Sequence, residues 1–562
     1  MLEFAKDKAF WDYVRESDDF ARHRKEITEK YNWAFEKRPT TMTYATYFGK
    51  GDQGDIWFRQ LFQLQTSALM SLIYYDKEEY FNNLLEIIWA YCGEYSWSPL
   101  GHHNSYYNTT PDEYDPALID IYAASIGFSM AEIKNLFSER LPQLVKDRMS
   151  HQIRMRIIDP YINKRFFWEK HNNNWNAVCT GAVGGTLMYE APDVFLANKE
   201  RLAKSVECYL EPYADDGVCV EGTAYWGFGF GFFAIYASLL KEFTNGEDDL
   251  FKLPKVKKIA QFVQKTFMDT HTMVTYSDCN LTEGYWIGLP HLLRSIYGED
   301  IDKLPAEQGT IIAYQHFAFA LRCFIYYKKE FTADKKLAPA IYNLTETGWF
   351  IKRGEHYGIA LKGGTNGESH NHNDIGSFIL SHNNKQIFTD LGSGAYSQDY
   401  HGEKRYTFFH PSSLSHNVPY FGDKAQEGMK REREYDRVTI DYDEATKTAT
   451  YEFARGYYLD YVRKIERSFV LEEKEIILRD SYDTDKGTPI TERFVTKLVP
   501  EVSGNSVLID GVRLTPKADI APVITVVDAP SHTSNETYKV YCIDYTLLPD
   551  TNYFEATITI ED

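Results

Sequence analysis

Apolar residues recur at three- and four-residue intervals through the first part of the chain and at two-residue intervals through the last part. In 57–97, Trp57, Leu61, Leu64, Ala68, Leu69, Leu72 and Ile73 share one helical face, and 116–137, 257–268 and the Ala- and Phe-rich 311–327 read the same way. From about residue 345 the pattern alternates. The segment 448–453 is Thr-Ala-Thr-Tyr-Glu-Phe, 462–471 and 475–480 flank Glu472-Glu473-Lys474 as a hairpin, and 538–545 and 553–560 are further strands. Helices first and strands afterwards predict an α+β, multidomain chain rather than a wound α/β sheet. The change falls in 332–344, around Pro339, so a helical domain is expected over 1–340 and an antiparallel β domain over 341–562.

Composition narrows the partners. The 562 residues suffice for a large core, and 43% hydrophobic with 25% charged residues is globular composition. Aromatic residues reach 15%, which suits stacking on sugar rings as well as filling a large core. Asp and Glu outnumber Lys and Arg by 81 to 61, a net charge of -20, which argues against nucleic acid as a partner but leaves room for a local basic cleft. Seven cysteines without a CxxC pair read as free, buried thiols. The amino-terminal residues are charged, with no apolar signal region, which points to a cytoplasmic protein. The uncharged run 222–240 approaches the length of a membrane span, but Gly222, Gly227, Gly229 and Gly231 interrupt it. It reads as an aromatic-lined core segment, and no membrane partner is expected. Homo-oligomerisation is left open.

Three polar clusters could carry chemistry. The first is Glu368-Ser369-His370-Asn371-His372-Asn373-Asp374, running into the apolar Ile375-Gly376-Ser377-Phe378. In extended chain His370 and His372 would share a face, about 7 Å apart. Both could bind a metal, or one a metal and the other a substrate. Asp390 and His416 follow, and two His with one Asp suit a divalent ion such as Zn²⁺. The second is His171-Asn172-Asn173-Asn174-Trp175-Asn176, a set of amides that either caps a helix or aims neutral donors at a carboxylate, with Trp175 as a sugar platform. The third is Glu221-Gly222-Thr223-Ala224-Tyr225-Trp226, in which the Tyr225 hydroxyl could transfer a proton. The loop with Tyr396, Tyr400, His401, Arg405 and Tyr406, and the stretch 102–108 beginning at His102, are further candidates for substrate contact. No phosphate-binding loop, dinucleotide fingerprint or His-Glu-x-x-His occurs, so no organic cofactor is expected.

In this order, Asn-Asn-Trp-Asn (173–176), Glu-Gly-x-x-Tyr-Trp-Gly-Phe (221–228), His-Asn-His-Asn-Asp-x-Gly-Ser-Phe (370–378), Asp390-x-Gly and Ser-His-Asn (415–417) resemble the heparinase II/III-like polysaccharide lyases. The resemblance implies an incomplete (α/α) toroid followed by an antiparallel β-sheet sandwich. It implies a carbon–oxygen lyase that cleaves anionic, uronate-containing polysaccharides or oligosaccharides, glycosaminoglycan-like or alginate-like, by β-elimination. It places Asn173 or Asn174 and His370 on the uronate carboxylate, Tyr225 as the proton-transferring residue, and a loop tyrosine (Tyr396, Tyr400 or Tyr406) as its assistant. His171, Trp175, Glu221, Trp226, His102, Asn371 and Arg405 are then candidates to contact substrate. A structural Zn²⁺ would lie on His372, Asp390 and His416. The competing readings are a glycoside hydrolase, a metal-dependent hydrolase in the same cleft, and a carbohydrate-binding protein with a degenerate site.

Overall fold

The computed structural model describes all residues except 38–40, 49–52, 104–114, 280–283, 313–314, 334–335, 429–436, 533–535 and 562. The main helices of the first part are α1 (Lys8–Glu16), α2 (Ala21–Phe35), α3 (Gln53–Ile73), α4 (Glu78–Gly93), α5 (Ile121–Leu136), α6 (Asn174–Glu190), α7 (Pro192–Leu210), α8 (Thr223–Phe243), α9 (Gly288–Tyr297) and α10 (Phe317–Ile325). Each packs on its neighbours: α3 on α2 and α4, α6 on α5, α7 and α8, and α10 back on α3. The result is an incomplete (α/α) toroid. Local chemistry trims several helices below their periodic stretch. The helix within 116–137 starts only at Ile121, where the Asp120 carboxylate accepts the Ala123 N–H at 2.7 Å. Within 311–327 only Phe317–Ile325 is helical, and 257–268 splits into Pro254–Ala260 and Phe262–Lys265.

The small residues of α6 let helix backbones approach closely. A Cβ on Gly181 would stand 2.9 Å from the Phe232 carbonyl oxygen of α8, and one on Gly185 would meet the Phe128 ring of α5 at 2.5 Å. Helix α8 is long and apolar enough to cross a membrane, yet 78% of its apolar window is buried inside the fold. It behaves as the core helix expected of 222–240, and it is interrupted by a π turn over Trp226–Phe230. None of the seven cysteines is in a disulfide.

Past Ile325 the chain turns to strands. Strands β1 (Ala340–Leu344), β2 (Trp349–Arg353), β3 (Gly358–Lys362), β4 (Phe378–His382) and β5 (Lys385–Phe388) form an antiparallel meander in that order. Its central strands β2, β3 and β4 are buried on both faces. Trp349, Ile351, Ala360 and Ile379 join the helical core, while the alternate residues Phe350, Ile359, Leu361, Phe378 and Leu380 join the β core. An eight-stranded and a four-stranded antiparallel sheet follow, and two short parallel pairs, Tyr285–Trp286 with Gly309–Thr310 and Leu304–Pro305 with Thr332–Ala333, lie before the meander. The hairpin read at 462–480 is present as Val462–Leu471 paired with Glu475–Thr484, with Leu471 opposite Ile476. Polar bonds stitch the two parts together. Thr347 donates to Asp216 through its amide and hydroxyl (2.8 Å each), Arg353 donates to the Phe267 carbonyl (3.0 Å), and the Thr275 hydroxyl donates to the Asp390 carbonyl (3.0 Å).

Gly181→Ala tests the α6–α8 approach. Helix propensity favours Ala over Gly by about 1 kcal/mol, whereas overpacking against backbone costs about 1–3 kcal/mol. Denaturant unfolding is expected to show net destabilisation; a stabilised variant would mean the helices can separate freely.

Candidate active site

Asp278, absent from the sequence-based candidates, organises the site. Ser277 and His370 both take left-handed backbone conformations (φ 68° and 58°), and the Asp278 N–H donates to the His370 carbonyl at 3.1 Å. Such conformations are strained for non-glycine residues and concentrate at functional sites. The turn at His370 overturns the extended geometry expected of 370–372. The two imidazoles converge because both bind Asp278: His370 Nδ1 lies 2.9 Å from Oδ2 and His372 Nε2 lies 3.2 Å from Oδ1. The Tyr400 hydroxyl donates to Oδ1 at 2.9 Å, and the Arg405 guanidinium lies 2.9 Å from Oδ2. Burial pushes the Asp278 carboxyl up, but the imidazole hydrogen bonds and the Arg405 charge outweigh it and hold the group well below the usual carboxylate range. An ionised carboxylate only accepts, so each imidazole turns an N–H toward it. His370 keeps Nε2 for the cleft, and His372 keeps Nδ1.

On the cleft side, His370 Nε2 lies 3.8 Å from Glu221 Oε2. Glu221 accepts from the Asn174 backbone N–H (3.2 Å) and side-chain amide (2.7 Å). The Tyr225 ring stacks on His370, centroids 4.0 Å apart, and its hydroxyl lies 3.0 Å from that of Tyr396. Asn174, Glu221 and Tyr225 from the toroid therefore meet His370 and Tyr396 from the β part. Two glycines make this possible. Gly222 takes φ 99° with its Cβ position 2.6 Å from the Tyr276 carbonyl, and Gly229 lets the π turn lie against Asn174. Burial, followed by Tyr396, Asp278 and Glu221, pushes the Tyr225 phenol well up, so it is protonated at neutral pH.

Behind His372 sits a sealed cluster. His372, Asp374, Asp390 and His416 place ligand atoms within 4.8 Å of one another, the one such group among the described residues, and all four are buried. His372 Nδ1, Asp374 Oδ1, Asp390 Oδ2 and His416 Nδ1 have no hydrogen-bond partner; the last two are 3.2 Å apart but not aligned for a bond. The other donor or acceptor of each residue is occupied, by Asp278, by Lys362 (2.7 Å), by the Gly392 N–H (2.8 Å) and by the His410 carbonyl (3.0 Å) respectively. Four inward orphans on residues oriented from outside fit a divalent ion. Asp374 is the fourth donor, which the spacing of His372, Asp390 and His416 did not reveal.

Other candidates sort by their contacts. His102 hydrogen-bonds Asp120 (2.5 Å) and packs on Trp175 (4.9 Å), which meets Phe167, itself beside the exposed His171. These rings form an aromatic wall beginning at Asn174. The rest of that stretch, 104–108, lies outside the described residues. Asn173 caps α6, its Oδ1 accepting the Trp175 N–H at 3.2 Å, whereas the Asn174 amide reaches Glu221. Trp226 is a core residue, fully buried with its indole N–H on the Ile259 carbonyl, because the π turn rotates it inward. Tyr400 is fully buried and spent on Asp278 and the Gly394 N–H. The Asn371 side chain bonds the His372 carbonyl and the Tyr406 hydroxyl, and Arg405 bonds Asp278 and the carbonyls of His370 and Asn371. These last three build the site rather than face its opening. The side chain of His401 is outside the described set.

A toroid meeting antiparallel sheets at a polar cleft is the architecture of a set of solved lyase structures. Residues 338–549 match the family model Heparinase II/III-like, C-terminal. Across nearly its whole length the chain is similar to a heparinase III gene product (14% identity, TM-score 0.62, covering 99% of this chain and 88% of that one). It is similar to a mutant of the heparan sulfate lyase HepC from Pedobacter heparinus (11%, 0.58, 99% and 93%). It is also similar to the chondroitin AC lyase of Streptomyces coelicolor A3 in complex with chondroitin sulphate (10%, 0.60, 98% and 82%). No curated protein matches the chain significantly.

Asp278→Asn removes the charge opposing Arg405 and the two imidazoles. Breaking a buried ion pair from one side costs about 3–5 kcal/mol, and denaturant unfolding is expected to show a loss of that size. A loss under about 1 kcal/mol would show that these donors find other partners.

Proposed function

We propose that the protein is a polysaccharide lyase that cleaves uronate-containing glycans by β-elimination. One observation carries the reading: an amide, an imidazole and two phenols from two separately built parts face one cleft, as Asn174, His370, Tyr225 and Tyr396. The reaction requires these groups. The C5 proton of a uronate is very weakly acidic, and its removal loads a second negative charge onto the neighbouring carboxylate. A preorganised donor to that charge supplies about 3–4 kcal/mol. The Asn174 amide is the donor, and His370, whose Nδ1–H is held by Asp278, turns the lone pair of Nε2 toward the reacting sugar. His370 Nε2 takes the C5 proton, the C4–O bond breaks as a C4–C5 double bond forms, and the Tyr225–Tyr396 phenol pair gives a proton to the leaving oxygen and is reprotonated from His370. Tyr225 enters as a neutral phenol, suited to delivering a proton. The wall of His102, Trp175 and Phe167 offers faces for a neighbouring sugar. Solved structures named heparinase III, heparan sulfate lyase and chondroitin AC lyase support a glycosaminoglycan-like substrate.

The geometry disfavours hydrolysis. A glycosidase needs two working carboxyl groups, and of the two nearest His370, Asp278 is saturated by four donors, leaving Glu221. A hydrolytic metal needs an open coordination position, whereas His372, Asp374, Asp390 and His416 are each 0% exposed. Two imidazoles and two carboxylates suit Zn²⁺. When bound, such an ion supplies a cross-link that fixes the 372–416 loops and, through His372 and Asp278, the His370 ring.

Two outcomes test this reading. On a panel of uronate polymers, absorbance of unsaturated uronate near the ultraviolet edge should rise, and Tyr225→Phe should lower kcat about 10²–10⁴-fold with KM little changed; a flat response across the panel defeats the proposal. Elemental analysis should find one zinc per chain, lost in Asp390→Ala, and chelation should lower the melting temperature together with activity. Activity lost at constant melting temperature would overturn the structural assignment of the ion.

A further inference from the structure

Behind the wall that carries Tyr225 and Asp278 runs a second groove. Two cavities of about 370 Å³ and 290 Å³ share His271 and Asn384, so they meet along the junction of the helical and β parts. One end is walled by Thr223, the first residue of α8, and by Cys279, the neighbour of Asp278. The other reaches Lys336 and His356.

Its lining mixes polar and apolar groups in about equal parts and carries more basic than acidic side chains, on a chain whose net charge is -20. Lys336 and Lys385 lie against Glu355 (3.5 Å) and Asp510 (2.9 Å). Lys497 is exposed, stands 4.5 Å over the Tyr538 ring, and pairs with no carboxylate among the described residues. His271, His356 and His382 add imidazoles. On the wall between them, Thr272 is 7% exposed and its hydroxyl has no partner, while the adjacent Asp269 uses one oxygen on the backbone of His271 and Thr272 and leaves the other unbonded. Unsatisfied hydroxyls and carboxylate oxygens match ligands rich in O–H groups. Among the described residues the one Phe, Tyr or Trp ring in the lining, Tyr357, is 3% exposed, so it offers no face to a flat heterocycle. Each cavity is of the size that encloses a small ligand, and together they suit an extended one.

We propose that this groove is a second binding site for an acidic oligosaccharide, anchored by Lys497 and His271 and separated from the cleft by the Tyr225–Asp278 wall. The identity of the acid as a uronate rests on the lyase reading above; the groove itself does not.

The test uses full-length protein in a Tyr225→Phe background, titrated calorimetrically with tetrasaccharides of unsulfated chondroitin, chondroitin sulphate and polymannuronate. At least one should bind at two sites per chain. Adding Lys497→Glu and His271→Ala should weaken one of these at least tenfold and leave the other, and in the otherwise native enzyme the same pair should leave tetrasaccharide turnover unchanged. One site or none for every tetrasaccharide, or two sites indifferent to these substitutions, overturns the proposal. The lyase reading fails separately, on absent unsaturated product, and the stoichiometry then still decides the groove.

Discussion

A carboxylate removed from water costs several kcal/mol unless its lone pairs are met. Asp278 meets that cost with two imidazoles, a phenol and a guanidinium, and the arrangement of the site follows from it. The same bonds choose the tautomers of His370 and His372, turning Nε2 of the first toward Glu221 and the cleft and Nδ1 of the second to the metal-type cluster. They hold Arg405 and Tyr400 in the wall. They also bind the β-part loops to a turn of the toroid, so the cleft exists only when both parts are folded and docked.

Neighbouring groups reinforce this centre. Arg467, fully buried, pairs with Asp480 and Glu492 and donates to the carbonyls of Gly376 and Asn417, the backbone beside the two histidine-bearing loops. The metal-type cluster grips the same loops from inside the β part. On the toroid side, the α6 cap and the glycines at 222 and 229 deliver Asn174, Glu221 and Tyr225 with little freedom. A site whose charge develops on a substrate carboxylate gains from such rigidity, because its donors need no reorganisation when the charge appears.

Local pattern made much of this legible. Periodicity separated helical from alternating stretches and located the Val462–Leu471 and Tyr553–Ile560 strands to the residue. Motif order marked Asn174, Tyr225 and His370, which meet around Glu221, and His372, Asp390 and His416, which meet in the buried cluster. Pattern failed where one residue type serves two purposes. Trp226 sits in a polar-aromatic motif yet is core, since a π turn, invisible to 3.6-residue counting, rotates it inward. Tyr396 and Tyr400 are four residues apart on one loop, and only backbone geometry decides that one faces Tyr225 and the other Asp278.

The order of secondary elements, the small-residue run of α6 and the residue types gathered in the polar motifs were determined by the sequence alone, because each depends on neighbours a few positions away. The partner of His370, the tautomers and the fourth member of the cluster were decided by tertiary structure. Asp278 lies 92 residues from His370 and 122 from Tyr400, and an isolated aspartate in the stretch 273–279 carries no local sign of that meeting. Long-range convergence of polar groups is governed by how two cores dock, a property of the packed chain and not of any segment within it.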